Sequence, residues 1–134
     1  MDSSLNDMDT RLQSLAQQWL EQCAAAGLKV RIIVTWRSAT DQNDAKMKGL
    51  SNASAGNSPH NCVDANGHPA SRAFDFASYE SDGTYITDGT DPSYAYAGSI
   101  AMNLGLTWGG NWTIDRDGCG PDFDHIEMTL WKTA

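Results

Sequence analysis

The sequence predicts a small single domain of the α+β class, in which two main helices pack against one antiparallel sheet. Two segments carry apolar residues at three- and four-residue spacing, as amphipathic helices do. The segments between and after them are rich in β-branched or alternating apolar residues, as strands are. With 134 residues, 40% of them hydrophobic, the chain is long enough to bury a core and favours one domain over residues 1–134.

The first helix is predicted at about residues 4–26, and Gly27 is a natural C-terminal stop. Its apolar stripe consists of Leu5, Met8, Leu12, Leu15, Trp19, Leu20 and Cys23. The second helix opens at Asp91-Pro92, where proline suits the first turn, and ends at Gly105. Its apolar face consists of Tyr94, Ala97, Ile100, Ala101 and Leu104. Both stripes are predicted to pack into the core.

Four main strands are predicted, at residues 29–36, 72–78, 106–108 and 124–130. The first is a β-branched run typical of a buried strand. Asp82-Gly83 separates the second from Tyr85-Ile86, which predicts a hairpin. A short helix is predicted around residues 40–49, followed by a polar loop.

The strand at residues 72–78 contains a residue pattern that indicates a metal site. Alternation along a strand places Phe74 and Phe76 on one face, toward the core, and Asp75 on the other face. His60 lies upstream, and a second cluster of carboxylates ends in His125. Histidine and carboxylate ligands around one open position are what a catalytic zinc ion requires.

Charge and composition exclude several classes of partner. The net charge of −8 argues against nucleic acid, because phosphate neutralisation needs clusters of Lys and Arg, and against adsorption to an anionic membrane. No apolar run approaches the roughly 20 residues of a spanning helix, so membrane insertion is not predicted. The acidic, polar N-terminus is no signal peptide, which predicts synthesis and folding in the cytoplasm.

Three cysteines, Cys23, Cys62 and Cys119, cannot all pair within one chain, and none lies in a CxxC motif. The favoured interpretation is reduced thiols in a reducing compartment. A Cys62–Cys119 bridge near the proposed site is the alternative.

Five short motifs, taken in order, resemble the LAS-type zinc peptidases. They are Trp36-Arg37-Ser38, Ser58-x-His60, Ala73-x-Asp75-Phe76, Trp108-Gly109-Gly110-x-Trp112 and Asp122-x-x-His125-x-Glu127. The branch most similar in its motifs is that of the L-alanyl-D-glutamate endopeptidases of bacteriophage endolysins, and relatives include D-alanyl-D-alanine carboxypeptidases and dipeptidases. The resemblance implies a hedgehog/D-Ala-D-Ala peptidase-like fold with a zinc site on the sheet.

The resemblance also implies a role for individual residues. The family's three ligands to a single Zn²⁺ ion fall on His60, Asp75 and His125. The general base falls on Asp122, and the arginine that stabilises the reacting carbonyl oxygen falls on Arg37. Ser58 and Trp108 are candidate substrate-binding residues, although either is also compatible with a purely structural role.

Two assignments have rivals within the chain. His60 lies 15 positions before Asp75, whereas most relatives have seven, the spacing that His68 shows here. We favour His60 because it keeps the Ser-x-His context, while His68 follows the turn signature Asn66-Gly67; the extra residues then form an inserted loop between two ligand-bearing strands.

The base also has alternatives. Asp124 and Glu127 are rivals of Asp122, and strict strand alternation would put Glu127, not Asp122, on the side of His125. Gly and Pro before Asp122 suggest that the strand begins after it, and the resemblance favours Asp122. The preferred role for Glu127 is an orienting or structural carboxylate.

The function implied is hydrolysis of peptidoglycan stem peptides, at the L-Ala–D-Glu bond, by a phage endolysin. With neither signal peptide nor wall-binding module, such an enzyme is expected to act as a monomer on the cell wall after release from the host cytoplasm through a holin pore. The alternatives are a D-alanyl-D-alanine carboxypeptidase or dipeptidase, and an inactive zinc-stabilised binding module.

Overall fold

The computed structural model of the chain describes residues 2–38, 40, 58–113 and 120–134. Within these ranges the complete helices are α1 (Thr10–Ala25) and α2 (Pro92–Asn103), and the strands are β1 (Lys29–Val34), β2 (Ala73–Tyr79), β3 (Tyr85–Ile86), β4 (Leu106–Trp108) and β5 (His125–Met128). Short 3-10 turns lie at Leu5–Asp7, Pro59–Asn61 and Gly109–Asn111. The helix predicted at 40–49 falls, apart from Thr40, outside the described residues, as does Cys119.

The sheet is antiparallel, with strand order β1-β2-β5-β4, and β3 pairs with the end of β2. The predicted hairpin is present, because the amide of Glu80 donates to the carbonyl of Thr84 across the turn and Gly83 takes a φ of 93°. The predicted α+β class is confirmed.

One face of the sheet forms the core with the two helices. Phe74, Phe76 and Ile126 are fully buried there. Trp19 of α1 lies at the centre: its ring is 5.1 Å from the rings of both Phe74 and Phe76, and its Nε1 donates to the carbonyl of Ala97 in α2 at 2.9 Å. The apolar stripes predicted from spacing therefore hold the sheet to both helices.

The opposite face carries polar side chains, since side chains alternate along each strand. Asp75 of β2 pairs with His125 of β5, and Ala73 pairs with Glu127. On the other side of β5, Thr107 of β4 also pairs with Glu127. Asp75, His125 and Glu127 thus share the face turned away from the core.

The first helix begins later than predicted, at Thr10 instead of residue 4. Asp9 ends the preceding extended segment and accepts a hydrogen bond from the amide of Arg11, which caps the helix. Met8 forms a parallel bridge with Ser71 and is 2% exposed, so the early part of the apolar stripe reaches the core without being helical.

Two strands are shorter than predicted. β1 ends at Val34, which still pairs with Asp75 of β2 after a bulge between Ile32 and Val34. From Thr35 the backbone leaves the sheet, and the amide of Thr35 donates to the carbonyl of Asp2. β5 ends at Met128 because a turn follows, in which Leu130 has a φ of 54°.

Two further sequence predictions concern thiols and membranes. Cys23 and Cys62 are free thiols, and burial raises the pKa of Cys23 to about 12, so that thiol is inert at neutral pH. The alternative Cys62–Cys119 bridge involves a residue outside the described ranges. Within those ranges, no helix is both long enough and apolar enough to cross a membrane.

Candidate metal centre

The sheet brings Asp75 and His125 together. They are directly paired residues of antiparallel strands, and their neighbours Phe74 and Ile126 point into the core. Asp75 Oδ1 lies 3.1 Å from His125 Nδ1. The alternation that buries the phenylalanine therefore also presents the carboxylate to the imidazole.

His60 reaches the same point from a 3-10 turn, which differs from the strand expected for it. Ser58 caps this turn, since its Oγ accepts from the amide of His60 at 3.2 Å. The carbonyl of His60 accepts from the amide of Arg37 at 2.8 Å, and His60 Nδ1 lies 2.6 Å from the carbonyl of Thr35. These contacts fix the ring so that Nε2 lies 3.3 Å from Asp75 Oδ1.

The three side chains have the spacing of metal ligands. One ligand atom from each of His60, Asp75 and His125 lies within 4.8 Å of the other two, and this cluster could hold one metal ion. Ligands of a tetrahedral zinc ion with bonds of about 2.0–2.2 Å are themselves about 3.3 Å apart. The two N···O distances to Asp75 Oδ1, 3.3 and 3.1 Å, match that separation.

Hydrogen counting also favours a cation at this point. All four ring nitrogens of His60 and His125 face oxygen acceptors: Thr35 O, Asp75 Oδ1 twice, and Glu127 Oε1. Two neutral imidazoles supply only two N–H groups. The four contacts between ring nitrogens and oxygen acceptors can therefore all be satisfied only by two further protons or by one divalent cation beside Asp75. The donor set therefore fits a zinc ion.

The pKa values of the cluster describe the state in which protons, and not a metal ion, fill the site. Burial would raise the pKa of Asp75, but His60 and His125 outweigh it and hold the pKa well below its usual range. Burial would lower the pKa of His125, but its hydrogen bonds to Asp75 and Glu127 raise that pKa to about 10. Without a metal, the site thus contains a buried carboxylate paired with an imidazolium.

Arg37 lies beside the second oxygen of the same carboxylate. Its Nη2 is 3.7 Å from Asp75 Oδ2, and its side chain is 9% exposed. The permanent guanidinium charge is therefore held near the cluster in a largely buried position. The hydrogen bond from the Arg37 amide to the carbonyl of His60 links the backbones of these two residues beside Asp75.

Asp122 lies before β5, as the sequence predicted, and it is half-buried. Its amide donates to the carbonyl of Gly109 at 2.9 Å, and its carbonyl accepts from the amide of His125 at 3.3 Å. A Cβ on Gly109 would lie 2.5 Å from the carbonyl oxygen of Asp122, so only glycine permits this approach. The same point lies 3.2 Å from the Cβ atoms of both Asp122 and His125, so these two side chains leave the backbone close to each other.

Asp124, a rival candidate for the base, has a strongly raised pKa. Burial, the nearby charge of Asp75 and a hydrogen bond with Asp122 raise the pKa of Asp124 to about 9. Its carboxyl is therefore protonated at neutral pH, a poor state for a general base.

Ser58 and Trp108, the two candidate substrate-binding residues, are buried and make contacts that stabilise the fold. Ser58 is 4% exposed and caps the His60 turn. Trp108 is 7% exposed, its Nε1 donates to the carbonyl of Phe123, and its ring packs so closely on Gly98 that a Cβ there would clash. Trp112 instead lies against the cluster, with its ring 5.1 Å from that of His125.

The environment of His68 differs from that of the buried cluster. Its side chain is 74% exposed and its Nδ1 lies 3.7 Å from Asp64, in the turn where Gly67 takes a φ of 80°. The extra residues between His60 and Asp75 form a hairpin-like loop closed by a Val63–Pro69 bridge. His60, and not His68, is the imidazole that the fold places beside Asp75.

Sequence reasoning missed one contributor, the main-chain carbonyl of Thr35. It accepts hydrogen bonds from both the His60 ring and Ser71 Oγ. A carbonyl is present at every residue and leaves no signal in the sequence. Only its location after the β1 bulge makes it a partner of His60.

No family model matches the sequence, and no curated protein is similar to it in sequence. Solved structures are similar in fold. An L-Ala D-Glu endopeptidase, ChiX of Serratia marcescens, aligns with a TM-score of 0.68 and 18% identity over 96% of this chain and 86% of that one.

Two further structures share the fold. The LdcB LD-carboxypeptidase, whose structure concerns peptidoglycan recognition, aligns with a TM-score of 0.63 and 13% identity over 94% of this chain and 71% of that one. A mutant of the vancomycin-resistance D,D-pentapeptidase VanY, in complex with Zn(II), aligns with a TM-score of 0.62 and 15% identity over 90% and 72%. The fold predicted from the resemblance to LAS-type zinc peptidases is confirmed.

Proposed function

We propose that the chain is a zinc-dependent peptidase that hydrolyses the peptide stems of bacterial peptidoglycan. The observation that carries the proposal is the convergence of His60, Asp75 and His125 on the polar face of the sheet. One ligand atom of each residue lies within 4.8 Å of the other two, and His60 Nε2 and His125 Nδ1 lie 3.3 and 3.1 Å from Asp75 Oδ1. Support comes from the fold, which the chain shares with an L-Ala D-Glu endopeptidase, an LD-carboxypeptidase and a Zn(II)-bound D,D-pentapeptidase.

His60, Asp75 and His125 would hold one zinc ion and leave a fourth position open. A zinc ion held there would supply Lewis-acid chemistry, which would polarise the scissile carbonyl and activate a water molecule. Asp122 takes the proton from that water and returns it to the leaving amine. Arg37 stabilises, through its guanidinium group, the negative charge that develops on the carbonyl oxygen.

We propose the L-Ala–D-Glu bond as the bond cut. The motif resemblance favours the endopeptidase branch, and an L-Ala D-Glu endopeptidase has the highest TM-score of the structures compared above. Removal of a terminal D-amino acid is the second candidate, because LD-carboxypeptidase and D,D-pentapeptidase structures share the fold as well.

The test is mass spectrometry of purified peptidoglycan digested with the zinc-loaded protein. Asp122→Asn and a chelated sample are the negative arms, and Asp82→Asn, in the exposed β2–β3 turn, is the matched control. Release of stems that begin at D-Glu, lost in both negative arms and kept in the control, supports the proposal. Loss of terminal D-Ala would move the protein to the carboxypeptidase candidate, and no cleavage with zinc bound would refute a peptidase.

We further propose that the enzyme is a monomeric phage endolysin, made in the host cytoplasm and released to the cell wall through a holin pore. Expression in bacteria with and without a holin tests this setting. Lysis that requires both the holin and an intact Asp122 supports it, whereas lysis independent of the holin contradicts it.

A further inference from the structure

Glu127 has a contact that the proposed chemistry does not use. It follows His125 by two residues on β5, so both side chains project from the same face of the sheet. Glu127 Oε1 lies 2.8 Å from His125 Nε2, and the glutamate side chain is 13% exposed. Its cross-strand neighbour on β2 is the small Ala73, which leaves space for the longer side chain.

We propose that Glu127 is the positioning residue of His125. It accepts a hydrogen bond from Nε2–H, which keeps a hydrogen on that nitrogen and leaves Nδ1, 3.1 Å from Asp75 Oδ1, as the nitrogen that would bind the metal. The inference rests on the proposed function, because it concerns a metal bound by His60, Asp75 and His125. Such outer partners fix the tautomer and ring orientation of a ligand and raise its basicity.

The second imidazole is held in the same way by a different group. His60 Nδ1 donates to the main-chain carbonyl of Thr35 at 2.6 Å, so its Nε2, 3.3 Å from Asp75 Oδ1, is the nitrogen that would bind the metal. The two ligands would therefore use opposite nitrogens, Nε2 of His60 and Nδ1 of His125. Only the partner of His125 is a side chain, and it alone can be removed by substitution.

The geometry also separates Glu127 from a role as general base. Its near oxygen contacts Nε2, whereas Nδ1 of the same ring faces Asp75. The imidazole ring thus lies between Glu127 and the point where the three ligand atoms converge. A base must reach the attacking water directly or through one further water, and the ring of His125 blocks the direct path.

The experiment compares zinc affinity, by competition with a chromogenic chelator, in wild type, Glu127→Ala, Glu127→Gln and the control Glu21→Ala on the exposed side of α1. We expect Glu127→Ala to weaken zinc binding about 10–100-fold, since that is the usual effect of removing a ligand's outer partner. Glu127→Gln keeps an acceptor oxygen and should restore most of the loss, and Glu21→Ala should match wild type.

Two further readouts separate positioning from structure and from catalysis. Long-range ¹H–¹⁵N NMR of the zinc-loaded wild type should show His125 protonated at Nε2 and coordinated through Nδ1. At saturating zinc, kcat of Glu127→Gln should fall far less than that of Asp122→Asn. Thermal unfolding of the metal-free variants identifies any that fail to fold, in which case Glu127→Gln and the NMR tautomer decide.

The outcomes are distinguishable from those of the proposed function. Unchanged zinc affinity in Glu127→Ala, or coordination of His125 through Nε2, would overturn this inference and leave the peptidase standing. Collapse of kcat in Glu127→Gln with full zinc affinity would make Glu127 the base and also overturn it. Tight zinc binding that depends on Glu127 in a protein that cleaves no muropeptide would refute the function alone, and a wild type that binds no zinc would refute both.

Discussion

Asp75 and His125 are directly opposed residues of β2 and β5, and 3.1 Å separates Oδ1 of the first from Nδ1 of the second. Their register is fixed by the core on the other face of the sheet, where Phe74 and Ile126 are fully buried. A shift of one residue in either strand would turn the polar side chain of that strand into the core. The rigid part of the candidate site is therefore this pair of strands, to which the His60 turn is attached.

The first prediction concerns which histidine completes the site. We expect His60→Ala to lose zinc affinity by more than the roughly 10–100-fold typical of an outer partner, because it removes a ligand from a set of three. His68→Ala should bind zinc like wild type, since that side chain is 74% exposed in a turn. Metal analysis after dialysis against a weak chelator measures both. Loss of zinc from His68→Ala alone would reverse the assignment.

Local periodicity was sufficient to predict part of this site. The alternation of Phe74, Asp75 and Phe76 depends only on strand geometry, so the outward carboxylate could be identified before any contact was known. The apolar spacing of α1 and the Asp91-Pro92 start of α2 are likewise local signals, and both helices are present.

Contacts between distant segments could not be predicted. The start of α1 after Asp9, and not at residue 4, has no local signal in the sequence. It depends on the bridge between Met8 and Ser71, which are far apart in the chain. The partner of His60 is a main-chain carbonyl brought close by the bulge in β1. Trp108 was a candidate for the substrate groove because tryptophan suits both a groove and a core, and its close packing on Gly98 is a tertiary contact.

The second prediction is that zinc binding releases protons. The pKa of His125 in the metal-free protein, about 10, lies above neutral pH, so the imidazole is protonated there and must lose a proton to become a ligand. At pH 7.5 we expect release of about one proton from His125 per zinc ion, and zinc affinity should rise about tenfold per pH unit below pH 9. Calorimetry in buffers of different ionisation enthalpy counts the protons. A count near zero would show that His125 is neutral before zinc arrives.

The third prediction separates the two acids before β5. Asp122→Asn should lower kcat by about a hundredfold to ten thousandfold with zinc still bound, because an amide cannot accept the proton of the attacking water. Asp124→Asn should lower kcat far less, because the raised pKa, about 9, already keeps that carboxyl neutral at pH 7 and an amide has the same shape. Rates on purified muropeptides at saturating zinc decide. A larger loss in Asp124→Asn than in Asp122→Asn would exchange their roles.

The fourth prediction tests whether the turn that carries Asp122 can be disturbed separately from the core. In Gly109→Ala the new Cβ would lie 2.5 Å from the carbonyl oxygen of Asp122 and 3.2 Å from Cβ of His125, so the turn must move. In Gly98→Ala the new Cβ would lie 2.3 Å from the ring of Trp108, on the core side of the sheet. Crowding of this kind costs about 1–3 kcal/mol of unfolding free energy at either position.

The two glycine variants should therefore lose similar stability in chemical denaturation but differ in function. Gly109→Ala displaces the turn that carries Asp122 and leads to His125, so we expect kcat and zinc affinity to fall together. Gly98→Ala presses on a ring whose Nε1 is bound to the carbonyl of Phe123, and its effect on zinc affinity should be smaller. Equal loss of zinc affinity in both variants would mean that the site depends on overall stability and not on the close contact between Gly109 and Asp122.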